Sequence, residues 1–307
     1  MIEFLVNKKG LEQTKNWEKN CWINIECPSV SDRDYILNKI KIPTEFFSDI
    51  EDIDERSRIE NEDGWTFVLL RIPYKAVGNI SPYITVPLGI LFKSDIFVTV
   101  CFYKTDLISD FVNYSRRKSI LKDNDFEFVL RFLLSSAIWF LKYLKQINQE
   151  IKFAEDKLEK AIRNEELKSL FNIEKSLVYF TTSLKGNDML LHRLKTTNFK
   201  DTLSIELIED VEIELKQAQE TTKIFSDILS RMMNAYTSVI SNNLNIIMKR
   251  LTSISIVLML PALIANFYGM NVPNSFENDS YGFLIIIVVS IITTIVGIIF
   301  LLKKRWF

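Results

Sequence analysis

Asn245, Met248, Thr252, Ser255, Met259, Ala262 and Asn266 recur at spacings of three and four in a segment otherwise built from Ile, Leu and Val. On a helix of 3.6 residues per turn, that spacing gathers them on one face. Their groups are amides, hydroxyls, thioethers and a methyl, which can meet the water shell of an ion but cannot titrate. A small or polar stripe of this kind serves either helix packing or a water-filled path, and both uses stay open on spacing alone. No charged side chain lies between Arg250 and Glu277, and none between Tyr281 and Leu302. A proton-coupled carrier ordinarily needs an ionisable relay within the membrane, so its absence favours passive flow. A hard divalent ion such as Mg²⁺ sheds water reluctantly. Without carboxylates in the path, amide and carbonyl oxygens would meet its waters rather than the bare ion. Carboxylates cluster elsewhere, at Asp49, Glu51, Asp52, Asp54 and Glu55, where a solvated helix end is an equal reading.

The elements that carry the stripe are two long apolar runs, Leu251 to Asn271 and Tyr281 to Leu302. Each supplies the roughly 20 residues that a helix needs to cross a ~30 Å hydrocarbon layer. Together they predict a C-terminal transmembrane hairpin. Lys249 and Arg250 precede the first run and Lys303, Lys304 and Arg305 follow the second, while the connection carries only Glu277 and Asp279. The positive-inside rule then puts both termini in the cytoplasm and the short loop outside. Trp306 and Phe307 stand where an interfacial aromatic anchor would. Two helices cannot enclose an aqueous path, so transport would require several copies of the chain. Pro261, inside the first span, predicts a kink.

Residues 1–103 read as a cytoplasmic α/β part. Trp22 to Cys27 alternates like a half-buried strand, and Pro28-Ser29 turns into a helix. Trp65–Ile72, Tyr83–Phe92 and Ile96–Phe102 are further strands, and Pro43 to Glu55 a short helix with an acidic end. Residues 104–206 form a long-helix part, with helices from Asp123 to about Glu166 and from Leu167 to Asn198. From Leu203 onward, Val211, Leu215, Ala218, Thr222, Phe225, Leu229, Met232, Tyr236 and Val239 make a coiled-coil-like stripe. No helix stop separates it from the first span. The stalk, 207–250, and the hairpin with its basic tail, 251–307, are therefore expected to share one long helix.

Composition narrows the function further. The 38 basic and 39 acidic side chains nearly cancel, which gives no support to a nucleic-acid partner. Cys21, Cys27 and Cys101 show no CxxC spacing and read as reduced cytosolic residues. Met1-Ile2-Glu3-Phe4 does not begin a signal peptide. No phosphate-binding glycine loop, metal-ligand cluster or nucleophile–base pair points to an enzyme or an organic cofactor. The single histidine, His192, falls on a cytoplasmic helix, where a surface or packing role is expected.

Tyr268-Gly269-Met270-Asn271, closing the first of two C-terminal spans ahead of a basic tail, resembles the CorA family of magnesium channels. Phe225-Ser226-Asp227-Ile228, Tyr236, Ser238, Ser241-Asn242, Asn245, Met248 and Leu251 follow the family's order and spacing. Asp49-Ile50 with Arg56 and Glu60 is similar to its acidic-helix segment. The resemblance implies a homopentameric funnel: an α/β cytoplasmic domain, long stalk helices and a pore lined by the first span. It further implies passive influx of Mg²⁺, with Co²⁺ or Ni²⁺ as further cargo, across the cell membrane. Gly269 and Asn271 would form the outer selectivity ring, beside Tyr268 and Met270. Asn245, Met248, Leu251, Thr252, Ser255, Met259, Ala262 and Asn266 would line the path, Met248 and Leu251 forming its hydrophobic gate. Asp49 and Asp210 would bind regulatory Mg²⁺ between neighbouring subunits, and Glu277 and Asp279 would concentrate cations at the mouth. Two positions depart from the family: Ala262 stands where a small hydroxyl residue is frequent, and Asn266 where glycine is common. The loop also lacks the frequent Met-Pro-Glu run. A proton-driven zinc exporter of the same superfamily and a non-conducting membrane-anchored coiled-coil scaffold are the alternatives.

Overall fold

The computed structural model describes residues 2–7, 10–76, 81–118, 124–160, 164–196, 203–270 and 280–304. They divide into two compact units, Met1–Met232 and Met233–Phe307.

The first unit is built on one seven-stranded sheet. Its strands are β1 (Ile2–Asn7), β2 (Leu11–Thr14), β3 (Trp22–Glu26), β4 (Arg58–Glu62), β5 (Trp65–Lys75), β6 (Tyr83–Lys93) and β7 (Ile96–Cys101). The spatial order is β2-β1-β3-β7-β6-β5-β4. Only β3 and β7 run parallel, with Trp22 opposite Phe97 and Glu26 opposite Cys101. The central strands are buried on both faces, which explains their near-continuous aliphatic runs. The half-buried reading of Trp22 to Cys27 is corrected for the same reason: Trp22 through Ile25 are all buried. The polar members of that strand survive burial because they are paired. Trp22 Nε1 donates to Thr99 Oγ1 at 2.8 Å, and that hydroxyl donates to Asn24 Oδ1 at 2.9 Å.

Helices cover both sheet faces. After Pro28, α1 (Val30–Asp34) begins at Ser29 with a capping box and widens into π-type turns over Tyr35–Ile40. Then α2 (Thr44–Glu51) lays Phe46, Phe47 and Ile50 on the sheet, with Phe46 stacked on Phe67 at 4.5 Å. The helix expected from Pro43 to Glu55 therefore stops at Glu51, four residues short. The backbone turns extended at Asp52 (φ −73°, ψ 112°), and the buried Arg71 guanidinium draws the next segment inward by donating to the carbonyls of Ile53 and Glu55.

On the other face lie α3 (Asp106–Lys118), α4 (Asp125–Lys160) and α5 (Asn164–Thr196). Trp22 meets Phe111, Phe128 and Phe132 edge to face at 5.4–5.9 Å. Within α5, Gly186 permits a close approach, since a Cβ there would come within 3.3 Å of Ser57 Oγ. Its neighbour Asn187 spans three segments: its Oδ1 accepts from Ser57 Oγ and the Arg71 amide, and its Nδ2 donates to the Arg71 carbonyl. Asp123, Asn198 and the last residues of the basic tail, Arg305, Trp306 and Phe307, lie outside the described residues.

The coiled-coil-like stripe and the first apolar run do share a helix, α6 (Ile205–Tyr268), with Pro261 inside it. Val211, Leu215, Ala218, Thr222 and Leu229 are buried within the first unit. A second apolar helix, α7 (Gly282–Lys303), follows. Both contain segments long and apolar enough to cross a membrane.

Candidate functional site

The stripe residues Asn245, Met248, Leu251, Thr252, Ser255, Met259, Ala262 and Asn266 all lie on α6 and are all exposed in the single chain. The same stretch has a second face: Ser253 is buried, while Val257, Leu260, Pro261 and Ile264 are half-buried. That face meets α7. A Cβ on Gly297 would lie 2.5 Å from Leu260 Cδ1, so glycine is what lets α7 approach there. Pro261 and Ala265 also share an apolar groove with Phe283, Ile287 and Ile291 of α7. At 100° per residue, the polar stripe is centred roughly 160° around α6 from the α7-facing side. The helix thus spends its aliphatic face on its own chain and, among the described residues, leaves the amide, hydroxyl and thioether face exposed.

Four of these groups are already committed locally or conspicuously apolar. Ser255 Oγ donates to the Leu251 carbonyl at 3.0 Å, which lowers its capacity as a ligand. Met248, Leu251 and Met259 are 58%, 58% and 68% exposed, a large apolar area on the stripe itself. The helix ends at Tyr268, and the Gly269 amide donates to the Ala265 carbonyl at 2.9 Å, closing the last turn. Tyr268, Gly269 and Met270 are therefore placed at the end of the striped helix. Asn271, Glu277 and Asp279 lie outside the described residues.

The expected regulatory carboxylates occupy different elements of the first unit. Asp210, in the second turn of α6, is exposed and lines a cavity of about 340 Å³ with Asp110, Tyr114, Arg117, Arg131 and Trp139. Asp49, near the end of α2, is engaged by its own chain: Arg58 Nη2 donates to its Oδ2 at 2.6 Å. The same guanidinium reaches Glu60 Oε1 from Nε at 2.9 Å and pairs with Glu55 through Nη1. Desolvation holds the Asp49 carboxyl above its ordinary range; Arg58 opposes that, while the charges of Glu55 and Glu60 add to it. Arg56 and Glu60, which resemble part of the family's acidic-helix segment, stand in the connecting segment and on β4. Arg58 and Arg71 are the residues that the sequence reading missed, and a basic residue inside a dense acidic run was the available signal for Arg58. Among the described residues, no three His, Cys, Asp or Glu side chains converge as a metal-binding group. His192 is exposed on α5, beside Asp188, Arg193 and Glu212.

The comparisons with known proteins agree with this architecture. Residues 17–304 match the family model described as CorA-like Mg²⁺ transporter protein. The chain is 24% identical to the cobalt/magnesium transport protein CorA of Methanocaldococcus jannaschii, over 93% of this chain and 90% of that protein. It is 21% identical to the protein of the same description from Thermotoga maritima, over 84% and 75%. In three dimensions it resembles the complete CorA magnesium transporter of M. jannaschii with a TM-score of 0.83, at 21% identity, covering 100% and 99% of the two chains. The cytoplasmic domain of ZntB from Vibrio parahaemolyticus shares the fold more loosely, with a TM-score of 0.58 over 78% of this chain and 96% of that one, at 11% identity. With the family model spanning both the sheet-based unit and the two apolar helices, this chain belongs to the family of CorA-like Mg²⁺ transporter proteins.

Proposed function

We propose that this chain is a passive divalent-cation channel of the cell membrane, with Mg²⁺ as its main cargo. Several copies, five by family resemblance, would surround the pore, with both termini in the cytoplasm. The observation that carries the reading is the uncharged polar stripe of α6, left free on the side opposite α7 and leading to Tyr268-Gly269-Met270. Copies arranged with that face inward would enclose a path that α6 and α7 of one chain cannot. The cargo is assigned from the family match and from relatives named as cobalt/magnesium transport proteins, so Co²⁺ is a second candidate.

Within such a path each group has a physical task. The Asn271 amide and the Gly269 carbonyl would receive a hydrated ion at the outer end through its waters, since stripping Mg²⁺ is costly. Asn266, one turn below, would offer a second ring of amides where the family commonly has glycine. Met248 and Leu251 would close the path by excluding water, the way a hydrophobic constriction gates. Glu277 and Asp279 would raise the cation concentration at the mouth. An inside-negative potential supplies roughly 4.6 kcal/mol per 100 mV for two charges, so no coupled proton is required. By family resemblance, cytoplasmic Mg²⁺ bound between copies near Asp49 and Asp210 would hold the assembly closed.

The test is Mg²⁺ uptake by proteoliposomes under an inside-negative potential with no pH gradient, comparing the wild type with Asn271→Ala. Uptake that grows with potential and is lost in the variant supports the channel. Zn²⁺ flux appearing only with a proton gradient would replace it with an exporter, and no flux from folded oligomers would leave a scaffold.

A further inference from the structure

Three carboxylates pair with the one guanidinium of Arg58. Asp49 comes from the end of α2, Glu55 from the turn after it and Glu60 from β4, and one guanidinium addresses all three with Nη2, Nη1 and Nε. The side chains are partly sheltered, 20% exposed at Arg58 and 30% at both Asp49 and Glu55. The guanidinium also lies 5.8 Å from the ring centre of the buried Phe67, and Arg58 is fixed in register against Leu69 of β5. We propose that Arg58 is the built-in counter-cation of the Asp49 cluster, holding the place that the channel reading gives to a regulatory Mg²⁺.

The chemistry favours the tethered cation. Arginine's planar fork makes short, charge-assisted bonds to several carboxylate oxygens at once. Mg²⁺ keeps most of its water shell and would meet the same oxygens through it. The arginine is also intramolecular, so its effective concentration at Asp49 is on the order of millimolar or above whatever the cell's Mg²⁺. An ion arriving at Asp49 Oδ2 would have to displace a bond already made. The regulatory consequence rests on the channel reading: closure would depend on Mg²⁺ at other carboxylates, such as Asp210, and little on Asp49.

Mn²⁺ serves as the probe, counted by electron paramagnetic resonance on the full-length protein in detergent, alongside the Mg²⁺ concentration that half-inhibits flux in liposomes. The forms compared are wild type, Asp49→Asn, Arg58→Gln and the double variant. Asp49→Asn is expected to leave the Mn²⁺ count unchanged and to move half-inhibition by less than about twofold, a small coupling on the usual allosteric scale. Arg58→Gln is expected to gain bound Mn²⁺, and the double variant to lose that gain. Loss of Mn²⁺ in Asp49→Asn, or a shift in half-inhibition above about tenfold, overturns the proposal. So does an Arg58→Gln protein that folds and binds no additional Mn²⁺. If Arg58→Gln does not fold, Asp49→Asn decides by itself. Absence of flux in the wild type would refute the channel while leaving the Mn²⁺ counts to judge Arg58.

Discussion

Replacing Gly89 by alanine tests how tightly α2, and with it Asp49, is seated on the sheet. Gly89 lies in β6 beneath Ile50, and a Cβ there would fall 2.2 Å from Ile50 Cδ1 and 2.5 Å from Cγ1. Real carbon atoms do not approach so closely, so Ile50, itself 1% exposed, must rotate or α2 must lift. Overpacking of this sort costs about 1–3 kcal/mol. Alanine recovers up to about 1 kcal/mol by restricting the unfolded chain. With a contact as short as 2.2 Å putting the overpacking cost in the upper part of its range, about 2–3 kcal/mol, the net loss is about 1–2 kcal/mol. For a cooperative unit of this size, each kcal/mol lowers Tm by about 2–4 °C, so the expected fall is about 2–8 °C. Thermal unfolding of the full-length protein in detergent, followed by tryptophan fluorescence, measures it. Ile50→Val, which removes Cδ1, should cost about 0.5–1.5 kcal/mol alone and much less, or nothing, beside Gly89→Ala. A Gly89→Ala protein as stable as the wild type, or strict additivity of the two changes, would refute the packing argument.

Two further outcomes follow from groups buried at the sheet's end. Desolvation raises the Glu26 carboxyl above its ordinary 4.5, outweighing the hydrogen bonds from Thr105. The folded chain therefore holds that proton to higher pH than the unfolded one, and the charged carboxylate is a penalty present in full above the raised value. The Tm of Glu26→Gln minus that of wild type should consequently rise with pH from about the ordinary carboxylate value and level off above the raised one; a difference independent of pH would contradict this. Burial pushes the Cys101 thiol up to about 12, whereas Cys27 is exposed. Maleimide labelling at neutral pH, read by peptide mass spectrometry, should mark Cys27 in the native protein and reach Cys21 and Cys101 only after denaturation. Native labelling led by Cys101 would overturn the assignment.

Much of the fold was legible because its strongest signals are local. The charge-free lengths of α6 and α7 follow from the span a helix needs in hydrocarbon, and the continuity of α6 from the absence of any stop. β5, β6 and β7 were visible as long aliphatic and aromatic runs because helices cover both sheet faces. β4 was not, since Arg58-Ile59-Glu60-Asn61-Glu62 is an edge strand held by its ladder to β5 and has little apolar pattern to show. β2 at the opposite edge, four residues long, escaped for the same reason. The polar stripe of α6 could be read from spacing, but its freedom could not. That needed the position of α7 against Leu260 and Pro261.

The Asp49 cluster shows why proximity along a chain does not guarantee legibility. Asp49, Glu55, Arg58 and Glu60 lie within a dozen positions, yet a helix running on to Glu55 would have spread them around its surface as solvated charges. What gathers them is the stop after Glu51 and the turn that follows, and that turn is held from elsewhere. Arg71, on β5, donates to the carbonyls of Ile53 and Glu55 and to Thr85 on β6. Asn187, on α5, ties Ser57 to the backbone of Arg71. Burial lowers the Arg71 pKa, with the charges of Asp54, Asp52 and Glu55 only partly opposing it. A buried guanidinium that depends on backbone carbonyls has few alternatives, so the carbonyls of the 53–55 turn are fixed where it needs them. The carboxylates of Asp49 and Glu55 are then delivered to Arg58 by a network whose bonds span 14 to 130 positions, out of reach of any local pattern.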